Sequence, residues 1–111
     1  MIKMRKSRFY KSKSVARTEW WLHSCELPEL RWARLKVFDD CTADSCFEEG
    51  GKLYGFEDRS YAGHILSEDE YIRYETMDQE DEKEYGISLA GITPPEWQEN
   101  REQEFEYLGK Y

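Results

Sequence analysis

One stretch of the sequence alternates between apolar and polar side chains, and it constrains the fold more than any other. The alternation runs through residues 32–38 and is typical of a strand with one face buried against a core. Its buried face is predicted to carry Ala33, Leu35 and Val37, and its other face Arg34 and Lys36. Residues 15–24 are apolar and aromatic enough for a second strand, so the chain is expected to build a sheet.

Weaker signals place further strands and turns. Residues 39–45 have turn chemistry, and Gly50 and Gly51 tolerate the backbone angles of a hairpin that leads into residues 52–56. Residues 61–66 and 87–92 are each interpreted as a short strand, the second of them buried.

Two capping boxes predict helix starts. Ser67 and Glu70 form the first box, although a strand is the alternative there. Thr93 and Glu96 form the second, with Pro94 at the first helical position. The second helix is predicted to be C-terminal, because four of its residues fall within one stripe at helical spacing and a glycine can end it. The stripe consists of Trp97, Arg101, Phe105 and Leu108, and Gly109 follows.

These signals indicate an α+β fold: a small antiparallel sheet with one or two packed helices, the last of them C-terminal. A half-open barrel is the alternative. The chain of 111 residues holds one core, and only 20 residues are Ile, Leu, Val or Phe. Four Trp and eight Tyr residues must therefore supply much of that core. Residues 1–14 are expected to be a basic and flexible arm, and residues 15–111 the single α+β domain.

Charge is divided unevenly along the chain. Residues 1–36 carry ten basic and three acidic side chains, whereas residues 37–111 carry six basic and twenty-one acidic ones. The acidic part is either a solvated face or a recognition surface for a basic partner, in which regularly spaced carboxylates imitate a row of phosphates. The candidate surface comprises Glu68, Asp69, Glu70, Glu75, Asp78, Glu80, Asp81, Glu82, Glu84, Glu99, Glu102 and Glu106.

Adjacent Trp20 and Trp21 must point to opposite faces of the sheet, so one of them is expected to anchor a partner. The leading hypothesis is a non-catalytic protein-binding module. It would be an acidic inhibitor or immunity-type accessory protein that imitates nucleic acid and docks on a basic, nucleic-acid-processing protein.

The alternative is a nucleic-acid-binding protein that uses the basic arm together with Arg31, Arg34 and Lys36. The competing interpretation is that the arm lies against the acidic part and neutralises it. The basic candidates of the arm are Lys3, Arg5, Lys6, Arg8, Lys11, Lys13 and Arg17.

A second alternative is a small enzyme or a zinc-binding domain. His23, Cys25, Cys41 and Cys46 offer four ligands but lack the usual zinc knuckle spacing. His23 and His64 are the only histidines, and no catalytic motif surrounds a nucleophile. We therefore expect no enzymatic activity, no metal and no cofactor. The odd number of cysteines and the lack of a long apolar stretch favour a cytoplasmic protein with no membrane partner.

Overall fold

The computed structural model describes residues 4–98 and 102–110. Within these residues, six strands form one open sheet in the order β5-β1-β2-β3-β4-β6. The strands are β1 (Val15–His23), β2 (Trp32–Phe38), β3 (Ala43–Cys46), β4 (Leu53–Phe56), β5 (Tyr71–Arg73) and β6 (Phe105–Gly109). The helices are α1 (Lys6–Tyr10), α2 (Arg59–Glu68) and α3 (Gln79–Tyr85). The mixed α+β class is confirmed.

Strands β1 and β2 lie where the sequence predicts them. They pair antiparallel, with Trp21 opposite Ala33 and Glu19 opposite Leu35. Ala33 and Leu35 are fully buried, as the alternation of β2 requires. The predicted hairpin is also present, since β3 and β4 pair antiparallel on either side of Gly50, which has a φ of 73°.

The sheet differs from the prediction at its far edge. Strand β6 runs parallel to β4, so the sheet is mixed rather than antiparallel, and β5 and β6 are its two edge strands. The turn predicted over residues 39–45 ends earlier than expected, because Ala43, Asp44 and Ser45 belong to β3 and are buried.

Helix α2 replaces the strand predicted over residues 61–66. Asp58 caps it, accepting a hydrogen bond from the backbone N–H of Tyr61 at 2.8 Å. Ala62 and Leu66, four residues apart, are both fully buried, which is a helical repeat. The predicted helix start at Ser67 therefore lies at the end of α2, and the chain continues into β5 instead.

The capping box that does start a helix is built from aspartates. Asp78 accepts hydrogen bonds from the backbone of α3, and the Asp81 side chain accepts one from the backbone of Asp78. Gly86 ends α3 with a φ of 67°. The buried strand predicted over residues 87–92 is wrong, because its centre is a 3-10 turn, Leu89–Gly91, with no buried residue.

The predicted C-terminal helix is wrong. Residues 92–98 have no regular secondary structure, Arg101 lies outside the described residues, and the chain ends in strand β6. A strand fits here because Phe105 and Tyr107, two residues apart, point to the same face of the sheet and both pack near Phe9. Gly55 of β4 leaves room for this approach, since a Cβ there would lie 2.6 Å from Phe105 Cζ.

The sheet is covered on both faces. Helix α2 packs on one face, over a core that contains Trp21, Leu35 and Phe56. Helix α1 lies on the other face, where Phe9 is 2% exposed and packs edge to face against Phe38 and Phe105. Among the described residues, no helix combines the length and the apolar character needed to cross a bilayer.

Candidate functional site

An acidic segment occupies the β5 edge of the sheet. Between Glu68 and Glu84 the chain has nine carboxylates and only two basic residues, Arg73 and Lys83. Helix α3, in the middle of this segment, has no buried residue. Its capping box and Gly86 stabilise it in place of a buried face. Glu80 and Glu84 are exposed to solvent, whereas Asp81 and Glu82 are half-buried. We call the nine carboxylates of residues 68–84 the acidic edge.

Besides the capping-box residues Asp78 and Asp81, two further carboxylates of the acidic edge accept hydrogen bonds from the backbone. Glu75 accepts the backbone N–H of Trp20 at 3.2 Å, and Glu82 accepts that of Leu89 at 2.9 Å. These bonds tie the segment to β1 and to the following turn, so Glu75 and Glu82 have defined positions.

The basic N-terminal residues contact a different part of the molecule. Lys13 Nζ lies 2.7 Å from Thr42 Oγ1 and 3.4 Å from Asp40 Oδ2, and Lys6 donates to the carbonyl oxygen of Gln103 at 3.4 Å. These contacts lie outside residues 68–84. Phe9 packs α1 against Phe38 of β2 and Tyr107 of β6, so α1 lies away from the β5 edge of the sheet.

Three of the predicted acidic residues do not join the acidic edge. Glu99 lies outside the described residues. Glu102 and Glu106 belong to the β6 side of the sheet, where Lys52 lies 2.7 Å from Glu106. That hydrogen bond raises the pKa of Lys52. Of the acidic surface predicted from sequence, only the carboxylates of residues 68–84 therefore belong to the acidic edge.

Of the two predicted anchors, Trp21 is buried at 5% exposure and belongs to the core under α2. Trp20, on the opposite face, is half-buried and packs edge to face against Trp32 and Trp97, with ring centres 6.0 and 5.2 Å away. Trp32 in turn packs against Tyr74 at 5.2 Å. We call these four half-buried rings the aromatic cluster; Tyr74 directly precedes Glu75 and joins the cluster to the acidic edge.

The basic candidates separate into three groups. Arg5, Arg8 and Lys11 are exposed along α1, and Lys3 lies outside the described residues. Two others pair with acids: Arg17 Nε lies 3.2 Å from Glu19, and Arg31 Nη1 lies 3.9 Å from Glu26. The third group comprises Lys6, Lys13, Arg34 and Lys36, which line a common groove.

This basic groove lies between α1 and the sheet and has a volume of about 740 Å³. Arg34 lies in it and is only 5% exposed. Its Nη2 is 3.6 Å from Asp44 Oδ1, and its Nε has no hydrogen-bond acceptor among the described residues. Sequence reasoning named the four cations but not the groove, because α1 is distant from β2 and β3 along the chain and meets them only in the folded protein.

Sequence reasoning also missed a charged site on the α2 face. The Glu19 carboxylate is fully buried and accepts hydrogen bonds from Arg59 at 2.8 and 3.1 Å. Burial alone would raise the pKa of Glu19, but the hydrogen bonds and charges of Arg59, with the charge of Arg73, outweigh it and lower that pKa. The local sequence does not mark Glu19 as buried, since Arg59 and Arg73 lie 40 or more residues away and only Arg17 is a nearby cation.

The residues considered for metal binding or catalysis are not brought together. The three cysteines are free thiols, and the described residues contain no group of three or more side chains that could hold a metal ion. His64 pairs with Glu68 at 3.3 Å on the outside of α2, and His23 packs against the ring of Tyr71. Neither histidine lines the basic groove.

Comparisons with known proteins add no functional assignment. A scan against protein-family models, a search of curated proteins and a search of solved structures each found no match to this chain.

Proposed function

We propose that this chain is a non-catalytic protein-binding module that docks on a basic protein surface, as an acidic inhibitor or immunity-type accessory protein would. The observation that carries the proposal is the acidic edge: nine carboxylates on residues 68–84, which helix α1 leaves uncovered and which adjoin the aromatic cluster.

The two parts of this surface suit different roles in docking. Clustered surface carboxylates accelerate encounter with a positively charged partner and discriminate against acidic ones. Half-buried tryptophans rimmed by charge are the residues that contribute most to protein-binding affinity. A basic nucleic-acid-processing protein is the proposed partner, because its own substrate presents the same sign of charge in rows.

A salt-dependent capture experiment tests the proposal. The immobilised chain is incubated with cell lysate at about 50 mM and about 500 mM NaCl, and the retained proteins are identified. The test variant is E80Q/E84Q, which removes two exposed charges from α3. The matched control is E48Q/E104Q, which removes two exposed charges elsewhere.

We expect basic proteins to be retained at low salt, and about fivefold less of them by E80Q/E84Q or at high salt. The control should retain as much as the wild type. Retention of proteins that are not basic, or equal retention by both variants at both salt concentrations, would contradict the proposal.

Nucleic-acid binding is a second candidate, favoured by one observation. Arg5, Arg8 and Lys11 are exposed and lie close together in the chain, Arg8 within α1 and the other two directly at its ends. The variant R5Q/R8Q/K11Q leaves the buried Phe9 in place, so it removes charge without removing core. Loss of a gel shift with single-stranded RNA or duplex DNA in this variant would support the candidate, and no shift by the wild type at about 50 mM salt would reject it.

The proposed setting is the reducing cytoplasm. Cys25 and Cys41 are exposed free thiols, and Cys46 is a buried one. Exposed free thiols are typical of proteins in reducing compartments, where disulfides rarely persist.

A further inference from the structure

We propose that the basic groove is the binding site of a small phosphorylated molecule about the size of a mononucleotide. This inference does not depend on the acidic edge, since the groove lies beside α1 and shares no residue with residues 68–84.

The charge of the groove selects an anion. Its lining contains Lys6, Lys13, Arg34 and Lys36 but only one carboxylate, Asp44. Lys13 also pairs at 3.4 Å with Asp40, which lies outside the lining, so the local excess is two positive charges in a chain whose net charge is -8. A concave, partly desolvated cluster of cations attracts a compact, multiply charged anion more strongly than the same cations would in open solvent.

Arg34 gives the strongest reason to expect a ligand. A buried guanidinium is costly unless its donors are satisfied, yet its Nε has no acceptor among the described residues. Asp44 Oδ1, at 3.6 Å from Nη2, is beyond ordinary hydrogen-bond distance. A phosphate group matches the planar fork of a guanidinium and supplies several oxygen acceptors.

The remaining lining suits the organic part of such a molecule. Val15, Phe38 and Leu53 present apolar surface to the groove, and Tyr10 contributes an aromatic ring. The volume of about 740 Å³ lies within the range usual for small-molecule sites, roughly 300–1,000 Å³. An inorganic phosphate would leave most of that space and all of the apolar surface unused.

Binding of adenosine monophosphate to the full chain tests this inference, with inorganic phosphate and adenosine as comparison probes. Isothermal titration gives the affinities, and NMR chemical-shift changes locate the site. Lys36→Gln removes one groove charge, and Lys11→Gln is the matched control because Lys11 is exposed outside the groove. Arg34→Lys tests the guanidinium itself, and Lys36→Gln keeps the test decisive if Arg34→Lys does not fold.

We expect the wild type to bind the nucleotide with a dissociation constant below about 1 mM and to bind phosphate and adenosine more weakly. Lys36→Gln should weaken nucleotide binding about tenfold, and Lys11→Gln should leave it unchanged. Three results would overturn the inference: no binding by the wild type, equal affinity for inorganic phosphate, or an equal loss in both variants. Shift changes confined to Arg5, Arg8 and Lys11 would overturn it as well, and would favour nucleic-acid binding.

Discussion

At the scale of single residues, Glu19 is in the most unusual environment in the molecule. Its carboxylate is fully buried and accepts hydrogen bonds from Arg59, Arg17 and the indole N–H of Trp21. Arg73 Nε lies 3.6 Å away. Three strands or helices thus supply cations to one carboxylate, so Glu19 joins β1 to α2 and β5 across the face of the sheet.

The substitution Glu19→Gln should therefore destabilise the fold strongly. Removing one member of a buried ion pair leaves the other without compensation, and we expect a loss of about 3 kcal/mol in the free energy of unfolding. The Arg59 side chain is 31% exposed, and solvent therefore compensates part of its charge. For this reason we expect a loss at the low end of the range for broken buried ion pairs. Urea unfolding monitored by tryptophan fluorescence measures the change, and Glu104→Gln is the control at an exposed site.

The lowered pKa of Glu19 adds a pH dependence with a definite sign. The stabilisation is complete above the ordinary glutamate value of 4.5, where the unfolded chain also carries the charge. It is lost as pH falls through the lower pKa of the folded state. The difference in stability between wild type and Glu19→Gln should therefore be constant from pH 7 down to about pH 5 and shrink below about 4.5. A difference that grew on acidification would contradict this account.

At the scale of elements, α3 is a helix that depends on its ends. No side chain of α3 is buried, so the Asp78 capping box and Gly86 must supply what tertiary packing supplies to other short helices. We expect Asp78→Ala to cost about 1 kcal/mol and to confine that loss to α3. Amide hydrogen exchange should quicken across residues 79–85 and remain unchanged in β1 and β2.

Glu80→Ala is the matched control for Asp78→Ala, because it removes an exposed carboxylate of the same helix and leaves the cap intact. If both variants changed exchange equally, the charge of α3 rather than its cap would hold the helix. A frayed α3 would also spread the carboxylates of the acidic edge, which would affect the proposed docking on a basic partner.

The elements predicted correctly from sequence are those whose pattern reports burial directly. In β2 the alternating apolar residues Ala33, Leu35 and Val37 directly indicate which face of the strand packs against the core. The wrong elements came from local signals that long-range contacts overrule. Thr93 and Glu96 form a plausible capping box, yet Phe105 pairs in parallel with Leu53, more than fifty residues away, and packs on Phe9.

The candidate sites follow the same division. The acidic edge could be predicted because its carboxylates all fall within residues 68–84, and the structure only removes Glu99, Glu102 and Glu106 from the predicted surface. The basic groove could not, because Lys6, Arg34 and Asp44 lie on three separate elements and meet only when α1 packs on the sheet.

At the scale of the whole molecule, the position of α1 keeps the basic groove apart from the acidic edge. Phe9 holds α1 on the face opposite α2, where it packs against Phe38 of β2 and Tyr107 of β6. Lys13 Nζ lies 3.5 Å from the centre of the Phe9 ring. The aromatic contacts of Phe9 thus decide where the basic residues lie. These contacts keep α1 beside the basic groove, where it forms one wall, and away from the acidic edge.

The substitution Phe9→Ala should therefore affect stability and charge placement together. Loss of a ring that is 2% exposed should reduce the free energy of unfolding by about 3 kcal/mol, measured by urea denaturation. Arg8→Gln changes the neighbouring exposed residue of the same helix and should stay within about 0.5 kcal/mol of the wild type. Phe9 does not line the basic groove, but it holds α1, which supplies Lys6 and Tyr10 to the groove, against the sheet. Phe9→Ala should therefore lose nucleotide affinity at a temperature where the variant is still folded. Equal stability of the two variants would mean that α1 contributes nothing to the core, and the separation of the two charged surfaces would then lose its structural cause.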